Sequence, residues 1–328
     1  MVQRSGCRRV LLACFAAVAA LIPASAEACT WFRFVNDERH AFVGRTMEWP
    51  GNLQAAMTRV PRAHNFGTFR STYGFVGISH LGLFSDGMNE HGLAASALWL
   101  GLSKFSPRTN TSIPITDLLP MVLGQTRTVD EAVALIRSKR FYGVKPSIAP
   151  DIEFTAHYSI TDPTGRSVVV EFLNGKTVIT ENKVGALTND PDYQQQLKAW
   201  STFDLTKIDE GSFLAFDYSP EGRFSRMAAI NATQPKVPDS LTAVNRAWSI
   251  VDTVDIPQGT LYWRWVSDQP QFTSYSVVGD LDQRVYYFRT YNNYNIRKVS
   301  LSAIDFATTA YSVDTIFTPP NYQEFRFR

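Results

Sequence analysis

The sequence predicts an α+β fold in which two antiparallel sheets pack between helical layers. Strand-like runs occupy two parts of the chain, and runs with helical periodicity lie between and after them. Apolar residues make up 45% and aromatic residues 13% of the 328 residues, which is enough for a large core. There are no repeats and no linker, so we expect one domain over residues 29–328, after a segment 1–28 that is removed.

The first 28 residues have the pattern of a cleaved export signal. Three arginines precede an apolar run from Val10 to Ile22, and small residues follow from Pro23 to Ala26. The apolar run is shorter than the roughly 20 residues that a membrane-spanning helix needs. We therefore expect an exported protein, periplasmic or secreted, without a membrane anchor.

Two cleavage points fit the small-residue pattern at the end of this leader. A cut after Ala26 starts the chain at Glu27, and a cut after Ala28 starts it at Cys29. We favour the first cut, followed by loss of the next two residues. A lipid-modified cysteine is the alternative, but the charge of Glu27 and the few apolar residues before Cys14 disfavour it.

Loss of the leader changes both the charge and the cysteine content. The formal net charge falls from +2 to neutral, because three arginines and one glutamate leave. A neutral surface gives no electrostatic reason to bind nucleic acid. Of three cysteines only Cys29 remains, which excludes an internal disulfide. The five histidines lack metal-ligand spacing, so we expect no metal and no other cofactor.

The N-terminal half begins with strands and then becomes helical. Strands are predicted at 31–35, 41–49, 73–79, 83–86 and 93–100. The period then changes and predicts helices over 116–125 and 129–139. The second helix opens with a capping box, since Thr128 stands three residues before Glu131.

The C-terminal half returns to strands and ends in a hairpin. Strands are predicted at 153–161, 167–173 and 176–180, the last two joined by Asn174-Gly175, a strong hairpin dipeptide. Helices are predicted at 192–203, 223–232 and 241–253, and a final hairpin at 275–280 and 285–290. Propensity alone does not separate two packed sheets from other α+β arrangements.

Cys29 is a candidate nucleophile because of its position. A lone cysteine is usually an inert packing residue. At a new N-terminus, however, it carries an α-amine as well, and the ordinary pKa of such an amine, about 7.7–8.0, suits proton transfer near neutral pH. The predicted hairpin brings Arg45 and Glu48 alongside, and a neighbouring arginine favours the reactive thiolate.

Five motifs follow one another along residues 29 to about 295. They are Cys29-Thr30, Gly-Arg-Thr-Met-Glu-Trp at 44–49, Asp-Gly-Met-Asn-Glu-His-Gly-Leu at 86–93, Leu-Thr-Asn-Asp-Pro at 187–191 with Gln-Gln-Leu at 195–197, and Gly-Arg-Phe at 222–224. In this order they resemble the choloylglycine hydrolases, which include bile salt hydrolases and penicillin V acylases and are cysteine N-terminal-nucleophile hydrolases. The resemblance implies a four-layer αββα fold, exposure of Cys29 by cleavage, and hydrolysis of a non-peptide amide.

The resemblance also implies roles for individual residues. Cys29 matches the nucleophile and Arg45 the arginine beside the thiol. Asn189 matches an asparagine whose amide N–H would stabilise the oxyanion, and Arg223 matches the arginine of an Arg-Phe motif. Glu48 stands where the family usually has an aspartate that holds the α-amine. Without the resemblance, the asparagine would be a turn and helix cap, and the arginines surface ion-pair partners.

Trp99 departs from the bile salt hydrolase pattern. Those enzymes have a second asparagine after an Ala-Gly-Leu run, whereas this chain has Ala97-Leu98-Trp99. The backbone N–H of Trp99 would then be the second oxyanion donor. The position is similar to that of Gram-negative penicillin V acylases, where it is aromatic. This favours a penicillin V-like amide or a long-chain N-acyl homoserine lactone as substrate, with a conjugated bile salt as the alternative.

Aromatic residues near predicted strand ends are expected to line an apolar acyl pocket. The candidates are Trp49, Phe75, Phe84 and Tyr142, together with Tyr73 and Trp99. Core packing is the competing interpretation for each of them. The sequence leaves open a different class, a protein that binds acylated small molecules without hydrolysing them. Family members are often tetrameric, so the resemblance also suggests a homotetramer.

Overall fold

A computed structural model describes residues 29–51, 53–146, 153–207, 217–262 and 267–327 of the protein. The predicted leader and both of its candidate cleavage points lie outside these residues. Within them, no helix is both long and apolar enough to cross a membrane.

The strands are numbered in chain order. They are β1 (Cys29–Val35), β2 (Ala41–Pro50), β3 (Ala55–Val60), β4 (Phe75–His80), β5 (Leu83–Asn89), β6 (Ala94–Trp99), β7 (Ile113–Pro114), β8 (Phe141–Tyr142), β9 (Ala156–Thr161), β10 (Ser167–Leu173), β11 (Lys176–Glu181), β12 (Ala186–Leu187), β13 (Leu261–Tyr262), β14 (Pro270–Asp280), β15 (Val285–Thr290), β16 (Asn293–Ser300) and β17 (Ser312–Thr315).

Four of the five described α-helices begin at a side-chain cap, and the first begins without one. The helices are α1 (Leu118–Gln125), α2 (Val129–Arg137), α3 (Tyr193–Ser201), α4 (Pro220–Thr233) and α5 (Ser240–Asp252). Before each of α2 to α5, a side-chain oxygen accepts the backbone N–H three residues on; these caps are Thr128, Asp192, Ser219 and Asp239. Each cap pairs one of the N–H groups that a helix start leaves without a partner.

Two antiparallel sheets contain most of the described strands. Seven of these strands form the first sheet, in the order β12-β1-β2-β14-β15-β16 with β13 beside β14. Eight form the second, in the order β11-β10-β9-β6-β5-β4-β3-β17. The small β7–β8 pair is parallel and stands apart.

The two sheets face each other between two helical layers. Helices α4 and α5 contact β1 and β2 of the first sheet, and α1 contacts β5 and β6 of the second. One core cluster fills the space between the sheets and beneath α4 and α5; the other lies between the second sheet and the α1–α2 layer. Alternation along β4 puts Val76 in the first cluster and Phe75 in the second. This four-layer αββα arrangement confirms the predicted fold class.

The β1–β2 hairpin sets the register around the candidate nucleophile. Cys29 lies opposite Met47, and Trp31 opposite Arg45. Strand β14 flanks β2 on its other side. The antiparallel pairing of the hairpin therefore places β2 side chains next to the first residue of β1, as the sequence predicted.

Candidate active site

The thiol of Cys29 lies in a buried position at the start of β1. The residue is 6% exposed and lines a cleft. The Nη2 atom of Arg45 is 3.6 Å from its Sγ, and the Sδ atom of Met47 is 3.8 Å from it. Both neighbours lie on the thiol face of β2, because alternate residues of a strand share one face.

Arg45 is itself buried, so the alternative interpretation as a surface ion-pair partner is wrong for this residue. Its Nη1 atom donates to the carbonyl oxygen of Ser85 at 2.5 Å. Burial by itself lowers the pKa of Arg45, but Tyr275, the Cys29 thiol and Asp86 outweigh that effect and hold the pKa above its usual value. A fixed positive charge therefore faces the thiol.

Asn189 follows β12 and connects several parts of the site. Its Oδ1 accepts the backbone N–H of Cys29 at 2.6 Å and a guanidinium N–H of Arg223 at 3.0 Å. Its Nδ2 donates to the carbonyl oxygen of Trp99 at 3.0 Å. Because Asp192 caps α3, the interpretation of Asn189 as a helix cap is wrong.

Arg223, in the first turn of α4, is fully buried and is not a surface residue. Its Nη1 atom donates to the Cys29 carbonyl at 2.5 Å and to Thr30 Oγ1 at 2.7 Å. Its Nε atom donates to the carbonyl of Tyr218 at 3.0 Å. Arg223 thereby ties the outer helical layer to the head of β1 and to Asn189.

Glu48 lies one residue beyond Met47 and is 3% exposed. Its Oε1 accepts the hydroxyl of Thr273 at 2.7 Å, and within the described part of the chain its Oε2 has no hydrogen-bond partner. Burial raises the pKa of this carboxyl to about 7, against the opposing effect of Arg223. The Cys29 nitrogen donates to Asn189 rather than to Glu48, since a peptide nitrogen has a single hydrogen to donate.

A cleft opens in front of the thiol, and the space in it, including the part open to solvent, is about 870 Å³. Apolar side chains form most of its wall, among them Met47, Trp49, Leu53, Phe84, Leu98 and Phe154. Polar residues also line it but contribute little of its surface; they are Arg45, Glu48, His80, Ser85, Glu153, Thr155, Asn189 and Gln271. Burial, together with the charge of Arg45, lowers the pKa of His80 to about 4, so this imidazole is neutral at pH 7. Such a wall fits an apolar acyl group with few polar atoms.

The structure brings together some predicted pocket residues and not others. Trp49, Phe84 and Trp99 line the cleft. Phe75 does not, because strand alternation turns it to the α1–α2 layer, where it is fully buried. Tyr142 belongs to the separate β7–β8 pair, and Tyr73 packs edge-on against a histidine ring. For these three residues the prediction of a pocket position is wrong.

The cleft wall also contains Met47, His80 and Gln271, which were not among the predicted site residues. Met47 stands between Arg45 and Trp49 on one face of β2, so strand alternation was a sufficient signal for it. Gln271 comes from β14, which reaches β2 only through a pairing more than 200 residues apart in the chain. No local pattern signals such a contact.

Comparisons with known proteins agree with this geometry. The sequence model of the linear amide C–N hydrolases, choloylglycine hydrolase family, matches residues 29–314. A penicillin V acylase of Pectobacterium atrosepticum is 26% identical over 329 residues, which cover 90% of this chain and 86% of that protein. A bile salt hydrolase/transferase of Clostridium perfringens is also 26% identical, over 243 residues covering 67% of this chain and 73% of that protein.

Solved structures share the fold. A variant of the conjugated bile acid hydrolase from Clostridium perfringens has a TM-score of 0.79 at 20% identity, covering 91% of this chain and 100% of that one. A penicillin V acylase from Agrobacterium tumefaciens has a TM-score of 0.74 at 24% identity, covering 87% and 90% of the two chains. Since the family model spans most of the chain, the protein belongs to the choloylglycine hydrolase family of linear amide C–N hydrolases.

Proposed function

We propose that this amide hydrolase acts through Cys29 as an N-terminal nucleophile, after export and removal of residues 1–28. The observation that carries the proposal is the Cys29 thiol, 3.6 Å from the Arg45 guanidinium at a mainly apolar cleft. A thiolate is the reactive form of cysteine, and a fixed positive charge favours it. The leader pattern supplies the support for cleavage before Cys29.

In the proposed reaction the α-amine of Cys29 accepts the thiol proton, and the sulfur attacks the acyl carbonyl carbon. The carbonyl electron pair moves to oxygen and forms a tetrahedral oxyanion. When this electron pair re-forms the carbonyl, the C–N bond breaks, and the amine leaves with the proton from the Cys29 ammonium. Water then attacks the thioester, releasing the carboxylic acid and regenerating the thiol. No redox step and no cofactor enters this sequence.

Asn189 and Trp99 are the proposed donors to the oxyanion. A side-chain amide nitrogen has two hydrogens, and the Trp99 carbonyl accepts one from Asn189. The N–H and C=O of one residue in an antiparallel strand point to the same edge, so the Trp99 N–H lies on the edge that Asn189 contacts. Two such donors, aimed at the developing charge, stabilise the transition state.

Glu48 is the proposed partner of the free α-amine. Its buried Oε2, without a hydrogen-bond partner in the described residues, is a ready acceptor on the strand next to Cys29. Cleavage before Cys29 replaces one N–H by the three of an ammonium group, which are enough for Asn189 and Glu48 together. The pair would orient the amine toward the thiol.

The proposed substrates are penicillin V-like amides and long-chain N-acyl homoserine lactones. The mainly apolar wall with Trp49, Phe84 and Trp99 fits a phenoxyacetyl or fatty acyl group. A conjugated bile salt is the second candidate, because a bile salt hydrolase and a penicillin V acylase are both 26% identical to this chain. A neutral mature surface gives the anionic bile salt no electrostatic advantage.

N-terminal sequencing and substrate assays on the exported protein test this proposal. We expect the purified chain to start at Cys29 and to release amine from penicillin V or a long-chain homoserine lactone faster than from glycocholate. Cys29→Ala, the matched control, should abolish turnover without changing the melting temperature by more than a few degrees. A chain that starts at Glu27 in active preparations contradicts the mechanism, and preference for glycocholate selects the bile salt. Binding of all three without turnover would mark an acyl-binding protein instead.

A further inference from the structure

A histidine and a glutamate of the second sheet contact the chain on either side of Asn189. His157 of β9 and Glu171 of β10 are fully buried. The Nδ1 atom of His157 lies 3.2 Å from Glu171 Oε1, and its Nε2 atom lies 2.6 Å from the carbonyl oxygen of Thr188. Thr188 immediately precedes Asn189, so the pair contacts the residue next to the proposed oxyanion donor.

The partners of His157 determine where its proton lies. A backbone carbonyl oxygen only accepts hydrogen bonds, so the short contact to Thr188 requires a hydrogen on Nε2. On the other side, Glu171 Oε1 also accepts the backbone N–H of Tyr193 at 2.9 Å. The ring therefore donates from Nε2 to Thr188, and its Nδ1 atom lies beside the Glu171 oxygen that accepts from the first residue of α3.

These contacts hold both ends of the short segment 188–192. Thr188, at its start, is bonded to His157, and Tyr193, just after its end, is bonded to Glu171. Inside the segment, Gln196 Nε2 donates to the carbonyl of Asn189 at 2.6 Å. The segment is thus attached to the second sheet as well as to α3, while the Asn189 side chain reaches Cys29.

Stability alone does not account for such a buried pair. Taking a carboxylate out of water costs about as much as its contact with a neighbouring polar group returns, so a buried pair of this kind is weak evidence of stabilisation. Within the described residues Glu171 Oε2 has no hydrogen-bond partner, which adds to that cost. Apart from their contact with each other, the two side chains bond to Thr188 and to Tyr193, at the two ends of the segment that carries Asn189.

We propose that His157 and Glu171 are positioning residues that hold the Asn189 amide where the oxyanion forms. This inference rests on the proposed role of Asn189. A displacement of about 1 Å in a catalytic group can cost 10²-fold in rate. Loss of the pair should therefore lower kcat while leaving binding of the ground-state substrate nearly unchanged.

The test measures kcat and KM of His157→Phe on the amide that the wild-type enzyme hydrolyses best among penicillin V, a long-chain homoserine lactone and glycocholate. We expect kcat to fall about 10–100-fold and KM to change by less than about 3-fold. The matched control is Asn89→Ala, which removes a fully buried side chain that bonds two carbonyls near α1, outside the cleft. It should lower the melting temperature and leave kcat within about 2-fold.

A double-variant cycle separates positioning from a general structural effect. If His157 acts through Asn189, the double variant with Asn189→Ala should lose no more kcat than Asn189→Ala alone. Additive losses, or a kcat of His157→Phe equal to that of the control, would overturn the inference. If Asn189→Ala keeps full turnover, the oxyanion assignment fails first, and the two failures are thereby distinguished.

A second pair of variants decides the question if His157→Phe does not fold. Glu171→Gln keeps an acceptor oxygen for Tyr193 and a polar group beside the imidazole, so kcat should stay within about 5-fold of wild type. Glu171→Leu removes the acceptor and should lose about 10–100-fold in kcat at a similar KM. Equal kcat values for the two variants would overturn the positioning role.

Discussion

The carboxyl group of Glu48 is buried on β2, next to the end of β1 where Cys29 lies. In the chain with residues still attached before Cys29, burial raises its pKa from 4.5 to about 7. The native state then binds more protons than the unfolded state between these pH values, so stability must fall as pH rises from about 4.5 to about 7. Above about pH 7 the carboxylate is ionised in both states, and the destabilisation caused by burying its charge no longer changes with pH.

The corresponding test compares urea unfolding of the uncleaved chain with that of its Glu48→Gln variant. The difference in unfolding free energy between the two proteins at pH 4, where both side chains are mostly uncharged, serves as the reference. At pH 8 the unfolding free energy of the variant should have risen relative to that of the wild type, because the variant has no carboxylate to bury. A difference that stays constant from pH 4 to pH 8 contradicts a raised pKa for Glu48.

In the mature enzyme Glu48 is expected to matter for turnover. Glu48→Asp keeps an acceptor for the α-amine and should be tolerated, whereas Glu48→Ala should lose most of the activity. The measurement is kcat on the best substrate, with the melting temperature as a check on folding. Equal turnover of Glu48→Ala and wild type would remove this residue from the mechanism.

Turnover should be more sensitive to loss of the Asn189 side chain than to loss of an asparagine outside the cleft. Asn189→Ala removes one proposed oxyanion donor, and such losses typically lower kcat by about 10²–10³-fold. Asn231→Ala is a suitable control, since that side chain of α4 also bonds backbone carbonyls, at 184 and 185, and does not line the cleft. Similar kcat values for the two variants would speak against an oxyanion role.

At the scale of elements, the β1–β2 hairpin depends on a glycine. A Cβ atom added to Gly44 would lie 2.2 Å from the ring of Phe32, its neighbour across the two strands. Gly44→Ala should therefore destabilise the protein by roughly 1–3 kcal/mol through overpacking. Chemical unfolding measures this, and Gly101→Ala, whose Cβ would meet nothing closer than 3.5 Å, is the control. Equal stabilities would show that the ring moves aside at no cost.

Local patterns predicted some strands closely and missed others: the edge strand β11 was predicted to within one residue, whereas β3, inside the second sheet, was missed. Two strands, 167–173 and 285–290, begin and end where the sequence predicted. Strands β16 and β17 were missed, because they end their sheets and alternate few buried side chains with many exposed ones. An edge strand needs less apolar surface than a central one, so its sequence contains a weaker signal.

At the scale of the molecule, the site forms where the two sheets come together. Cys29 and Arg45 come from the first sheet, Trp99 from the second, and Asn189 bonds to both Cys29 and Trp99. Activity therefore requires the whole domain, and the proposed cleavage adds only the amine. A chain that keeps Glu27 and Ala28 should melt within a few degrees of the mature form and yet show no turnover.

Comparison of two purified forms tests this expectation. One starts at Cys29 and the other at Glu27, and both are assayed for amine release and thermal unfolding. Turnover by the longer form at the mature rate would mean that the α-amine is not required. Loss of both folding and turnover would instead show that the extension disturbs the head of β1.

Short-range periodicity in the sequence predicted the α+β class and the hairpin neighbours of Cys29, and the position of Cys29 after a predicted leader made it the candidate nucleophile. The resemblance added Asn189, Arg223 and Trp99. Only the tertiary structure decided that Phe75 faces a helical layer, that Gln271 reaches the cleft, and that His157 and Glu171 stand behind Asn189. Those facts depend on which strands pair and which sheet faces meet, and such contacts join residues too far apart in the chain for local patterns to show.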